Sequence, residues 1–274
     1  MISTREKFIS SRAGMIGLST LFVIVFMAIV GPSLSGQTYY DTHLALKNQP
    51  PSLQFWFGTD DLGRDVFTRA WYGARISLFV GVAAALIDAV VGMLWGGIAA
   101  FSGGKVDEIM MRIADILYAL PYMLVVILIM VVLGNGIGSI LVAMTIVGWI
   151  SMARVIRGQI LQIKQEEYVL ASIALGANFF HILIKHLLPS ATGSIIVTLT
   201  FTIPAAIFVE AFLSFLGLGI QAPVASWGTM VNHGLPALNY YPWRLFFPAL
   251  LISATMLSCN MIGDALRDAT DSRS

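Results

Sequence analysis

The longest stretch of this sequence without Asp, Glu, Lys or Arg, Ile116–Ala153, runs for 38 residues. A helix crossing a bilayer needs only about 20, because about 30 Å of hydrocarbon is covered at about 1.5 Å per residue. One stretch of that length therefore holds two crossings, and Gly134-Asn135-Gly136 supplies the turn between them. Four further stretches have the same character. Ala13–Tyr40 is uncharged, Ile76–Phe101 carries only Asp88, His186–Trp243 only Glu210, and Leu245–Gly263 none. Only helices and closed barrels satisfy their backbone hydrogen bonds in hydrocarbon, and runs this long exclude the alternating pattern of a barrel. The expectation is an all-α, polytopic membrane protein with six transmembrane helices over about residues 14–31, 76–101, 114–133, 138–154, 191–216 and 245–263.

Composition agrees, since 57% of the residues are hydrophobic and 11% charged, where a soluble domain has about 25% charged. A net charge of +1 offers no basic surface for nucleic acid, and the one cysteine, Cys259, excludes a cysteine-built metal site. Lys and Arg are retained on the cytoplasmic side. An inside N-terminus puts 11 of the 16 basic residues inside and leaves Lys47, Arg64, Arg69, Arg75 and Arg244 outside, so both termini are expected to be cytoplasmic. The first apolar run follows Arg5, Lys7 and Arg12 as a signal peptide would, but its length and the five later spans favour an uncleaved helix. The chain 1–274 reads as a single transmembrane domain.

Function is then sought in the loops and in ionisable groups at membrane depth. The external loop 32–75 contains Gly58-Thr59-Asp60-Asp61-Leu62-Gly63-Arg64-Asp65. From Asp61 its charges recur beside Leu62, Val66 and Ala70, which suggests an amphipathic surface helix capped by Thr59 or Asp60, either a solvated lid or a docking surface for a partner. In the internal loop 155–190, Val169, Ile173, Gly176, Phe180 and Ile184 share one helical face, consistent with two short helices hinged near Gly176. Asp88, in mid-span and expected to face the protein interior, and Glu210, nearer the outer face, are each expected in helix packing or along a translocation path, the packing role of Glu210 being a hydrogen bond that fixes span five. Asp115 and Asp264 fall near internal helix ends, within reach of Arg112 and Arg267.

The segment Glu167-Tyr168-Val169-Leu170-Ala171-Ser172-Ile173-Ala174-Leu175-Gly176-Ala177, closed by His186-Leu187-Leu188-Pro189, resembles the cytoplasmic coupling loop of ATP-binding-cassette importer permeases. Leu170 and Ser172 occupy the places of that pattern's Glu and second Ala, and His186 that of its Ile, departures similar to the oligopeptide, dipeptide and nickel branch. Gly58–Asp65, Glu210-Ala211-Phe212-Leu213-Ser214-Phe215-Leu216-Gly217-Leu218-Gly219 and Gly263-Asp264-Ala265-Leu266-Arg267-Asp268 are similar to segments of that branch's second permease subunit. Asp88 departs from it, standing where an uncharged residue is usual; so does His233, in an acidic slot, and Ser190, in place of a common Asn.

The resemblance implies a binding-protein-dependent importer permease fold in the cell (inner) membrane, amid lipid. It implies that Glu167, Tyr168, Val169, Ala171, Ser172, Gly176 and Ala177 contact an ATPase, and that Asp60, Asp61, Arg64 and Asp65 serve docking outside. It also implies two ATP-binding subunits, a second homologous permease and an external solute-binding protein, with ATP and Mg held by the ATPases. The substrate expected is an oligopeptide or dipeptide. Nickel or a metal chelate on the same scaffold is the alternative, and a secondary transporter using Asp88 and Glu210 as ion carriers is a different class. No phosphate-binding loop is present, because Gly104-Lys105 is followed by Val106 and Ala99 stands at the upstream Gly. No Gly-x-Ser-x-Gly or His-Glu-x-x-His occurs, so no catalytic residue and no metal ligand is expected in this chain, nor a cofactor of its own.

Overall fold

A computed structural model of the chain describes residues 4–183, 185 and 188–270. Among the described residues the regular structure is helical, with one isolated bridge between Thr59 and Asp65. In chain order the α-helices are α1 (Thr4–Ser10), α2 (Arg12–Leu34), α3 (Val66–Ser102), α4 (Gly104–Tyr118), α5 (Tyr122–Leu133), α6 (Ile137–Ile163), α7 (Glu167–Ala174), α8 (Phe179–Ile182), α9 (Leu188–Phe215), α10 (Trp227–Gly234) and α11 (Trp243–Thr270). By length and composition α2, α3, α6, α9 and α11 can each cross a membrane.

Three differences from the sequence reading have local causes. The expected span 114–133 is not one helix: α4 stops at Tyr118, α5 starts at Tyr122, and their axes meet at 82°. Pro121 lies at the break, where it removes a backbone donor and disfavours helix at Leu120. The expected surface helix from Asp61 is also absent. Asp61–Gly63 is a turn, and the helix begins at Val66, capped by Asp65 rather than by Thr59 or Asp60. That helix then continues without interruption to Ser102, its 37 residues spanning about 55 Å, so its first turns stand clear of about 30 Å of hydrocarbon. Finally, Asp115 pairs with Arg154 at 2.8 Å, not with Arg112.

In lipid, helices associate through close packing and buried polar contacts, because tails are as apolar as leucine. The contact of α3 with α6 follows this rule. Gly92 and Gly96 of α3 lie against Met152 and Ala153 of α6, where an added Cβ would collide with Ala153 backbone. On α2, Gly14 and Gly17 make the same kind of approach to Ala265 and Ser258 of α11. Larger side chains fill what remains: Val80, Ala84, Met130, Ile140, Met144, Val209 and Leu213 form one buried cluster joining α3, α5, α6 and α9. Phe22, Ile29, Phe79 and Leu128 are exposed on α2, α3 and α5, the arrangement required of surfaces that meet lipid.

Candidate functional site: a cavity, a buried polar knot and a glycine-ended helical segment

At the end of α3 that begins with Val66, the loop charges turn inward. Asp60 Oδ2 accepts from Arg64 Nε at 2.7 Å and lies 3.5 Å from Arg69 Nε, while Asp60 Oδ1 accepts from the backbone N–H groups of Leu62 and Arg64. Asp65 Oδ2 accepts from the backbone N–H and hydroxyl of Thr68, capping α3. Burial pushes the Asp65 carboxyl above the usual carboxylate range, against the lowering effect of those Thr68 bonds. Thr59 joins the knot by donating to Leu46 O and accepting from Gln49 N–H. From the far end of the chain, Trp243 Nε1 donates to Thr59 O, and Arg244 reaches Asp61, Asn48 and His233 O at 3.0–3.2 Å.

Asp60, Arg64 and Asp65 are thus buried, where the sequence reading expected residues of a docking surface. A buried carboxylate between two guanidinium groups is a structural element, because each charge satisfies the others. Asp61 alone of the four keeps an exposed side chain. Arg244 and Trp243 lie more than 180 residues from Thr59 and Asp61 and reach them only through folding, so no local pattern announced them.

Glu210 is fully buried and ties three helices. Its two carboxylate oxygens accept from Ser77 Oγ of α3 and Ser214 Oγ of α9, each at 2.8 Å. Ser77 Oγ also accepts from Trp227 N–H at 3.3 Å, and Ser226, whose hydroxyl lies 3.4 Å from Ser214 Oγ, caps α10 in a reciprocal box with Thr229. The expected role of Glu210 in fixing span five therefore extends to seating α10. The Ser226-x-x-Thr229 spacing before an apolar run was the available sequence signal.

At the opposite end, α6 continues past the expected boundary at 154 to Ile163, and its basic residues are held by α4 and by the end of α3. Arg157 grips Asp107 through two 2.6 Å bonds, Arg154 lies over the Tyr118 ring at 4.1 Å, and Lys164 Nζ donates to Phe101 O at 2.7 Å.

Beyond Ile163 the chain makes α7 and α8. Gly176 has φ +82°, Gly176 follows the last turn of α7, and Ala177 N–H donates to Ser172 O at 3.1 Å. That is the bond pattern of a helix ended by a left-handed glycine, so Gly176 is the hinge because only glycine takes this conformation without strain. Val169 is fully buried against Ile156, Ile160 and Ile182, and Ala177 packs at the edge of the same cluster. These two anchor the segment. Glu167, Ala171, Leu175 and Gly176 are exposed, with Leu175 at 88%, Leu170 at 51% and Tyr168 at 47%. Ser172 donates from its hydroxyl to Tyr168 O. The side chains of Ile173, Phe180 and Ile184 on the expected shared face, and His186-Leu187 of the closing motif, lie outside the described residues.

Between the two ends α4, α5, α6, α9 and α11 surround a cavity of about 840 Å³. Asp88 of α3 lines it beside Gly148, whose missing side chain leaves room for the carboxylate. Among the described residues no group of three His, Cys, Asp or Glu side chains is placed to hold a metal.

Several helices long and apolar enough to cross a membrane, packed around a cavity, make this a polytopic membrane protein. Comparison places it further. Residues 90–274 match the family described as binding-protein-dependent transport system inner membrane component, and residues 3–51 match the N-terminal transmembrane domain of oligopeptide transport permease C. The chain belongs to that family of inner membrane transport components. It is 59% identical to the oligopeptide transport system permease protein OppC of Bacillus subtilis, over 97% of this chain and 87% of that one. It is likewise 59% identical to the dipeptide permease DppC of the same organism, over 95% and 82%, and 42% identical to OppC of Escherichia coli, over 97% and 89%. An inward-facing MetNI methionine ABC transporter structure shares the fold, with a TM-score of 0.59 at 19% identity, covering 72% of this chain and 94% of that one.

Proposed function

We propose that this chain is one of two homologous membrane subunits of an ATP-driven importer that carries oligopeptides or dipeptides delivered by an external solute-binding protein. Its close relatives are peptide permeases across nearly their whole length. The chain supplies the gate and has no ATPase site of its own; ATP and Mg belong to two partner ATPases. Both termini and the loop containing α7 and α8 lie in the cytoplasm, and the knot around Asp60 faces outside, following the excess of Lys and Arg on the inner side.

The observation that carries this reading is the inner segment. Val169 holds α7 on the end of α6 while Tyr168, Leu170 and Leu175 stay exposed beyond it. A short helix anchored on one face and apolar on the other fits the surface of a second protein and transmits that protein's movement to α6. Closure of the ATPases would rock the helices as rigid bodies between inward-open and outward-open forms. The outer knot fits a rigid platform for the binding protein, with Asp61 exposed on it.

Co-purification tests the reading: the complex isolated from membranes contains two ATPase chains and a second permease, and ATP drives uptake of labelled dipeptide only with binding protein present. Gly176→Arg leaves insertion intact and abolishes uptake. Normal uptake in that variant, or cross-links from Leu175 to an external protein, would overturn the assignment.

A further inference from the structure

Three hydroxyls at the cavity wall already have their hydrogens committed to backbone carbonyls. Thr198 and Thr202 donate their hydroxyl hydrogens to the carbonyls of Ser194 and Thr198, at 2.7 and 2.9 Å. The Tyr122 hydroxyl donates to Met144 O at 3.3 Å. All three hydroxyls therefore offer only lone pairs to whatever enters. Asp88 extends the pattern. Its side chain is nine-tenths buried at the cavity wall, with the residue 6% exposed, and its Oδ1 has no hydrogen-bond partner. Asp88 and Arg267 are the charged residues among the described cavity lining, and Arg267 is exposed near the end of α11. A carboxylate and three acceptor hydroxyls on an otherwise largely apolar wall form a site for a cationic donor, and among the described residues no cation is paired with the carboxylate.

We propose that Asp88 is a specificity-determining residue that binds the ammonium group of a peptide in transit. This rests on the peptide-importer reading and deepens it. An ammonium offers up to three donors and a positive charge, which matches what the site lacks. At membrane depth an unpaired carboxylate is costly and its attraction to a cation is strong, so the pairing discriminates by charge. Size agrees as well. The cavity follows α9 from Val197 to Val209, about 18 Å at the helical rise, which accommodates about five residues of extended chain. Gly148 keeps the place open, because a Cβ there would run into the Asp88 carboxylate.

The test uses the complete complex with its ATPases and binding protein in proteoliposomes, and three peptides of equal length. One has a free amino terminus and neutral side chains, one an acetylated terminus and a single lysine, and one is acetylated without lysine. Uptake is expressed per peptide-loaded binding protein and per assembled complex. Asp88→Asn, which keeps the volume and removes the charge, lowers uptake of an ammonium-bearing peptide by about tenfold and leaves the third unchanged. Asp88→Glu retains the preference. A drop in the first peptide alone identifies the terminal amine as the bound group, a drop in the second alone the side-chain amine, and a drop in both a site that accepts either. Equal loss for all three peptides, which a packing role would give, overturns the proposal, as does no change in any. A wild-type complex that hydrolyses ATP yet takes up none of the peptides overturns the peptide reading, and this proposal with it.

Discussion

The two ends of this molecule are built on opposite principles. Around Asp60, where α3 begins, Arg64, Arg69, Asp65 and Thr59 are buried in a dense set of hydrogen bonds and ion pairs, stitched to Trp243 and Arg244 from the other end of the sequence. The inner segment rests on Val169 and on the glycine hinge at 176, and leaves Leu170 and Leu175 in the open. A densely bonded polar network resists deformation, because every displaced charge meets a low-dielectric interior. A segment seated on a few apolar contacts, Val169 and Ala177 among them, moves with whatever grips it. The contrast teaches that stability and transmission of force are separated along the bundle, with Asp88 and the cavity between them.

The comparison can be broken first at the outer end. Asp60→Ala strands two buried guanidinium groups and is expected to destabilise the folded chain by about 3–5 kcal/mol, read as a fall in the thermal unfolding midpoint in detergent. An effect no larger than that of a surface substitution would mean that the knot is not holding the outer loop. Glu210→Ala leaves the Ser77 and Ser214 hydroxyls without their acceptor and is expected to cost about 1–3 kcal/mol. The same unfolding measurement checks it, and α10 should become more open to protease.

At the inner end the expected stability changes are smaller and the functional ones larger. Gly176→Ala meets no neighbouring atom, so its whole cost is the left-handed backbone, about 1–2 kcal/mol. Transport should fall more than the unfolding midpoint suggests. Leu175→Ser removes an exposed side chain and should leave stability within about 0.5 kcal/mol, while weakening the capture of ATPase chains in a pull-down. If Leu175→Ser instead lowered stability as much as Asp60→Ala does, the proposed division between the two ends would fail.

Much of this architecture was legible beforehand, for reasons that differ by element. The gaps in charge located the helices that became α2, α6, α9 and α11, because hydrocarbon excludes charge wherever the rest of the chain lies. The end of α7 at Gly176 was legible too, since a glycine after an apolar face marks a helix end locally. The break before Tyr122 was overlooked although Pro121 announced it, because an unbroken apolar run masked a single residue. Asp60, Arg64 and Asp65 read as surface charges, and nothing near them in the chain said otherwise.

Sequence alone determined that the chain lives in lipid, that long apolar helices build it, and where α7 ends at Gly176. Each of these depends on hydropathy or backbone conformation within a few residues. Only the tertiary structure decided which charges are buried and which side chains face the cavity. Those outcomes come from contacts such as Arg244 with Asp61 and Ser77 with Glu210, between residues more than 100 positions apart. A carboxylate has the same chemistry in either place, and its partners make it a brace, as at Glu210, or leave it open, as at Asp88.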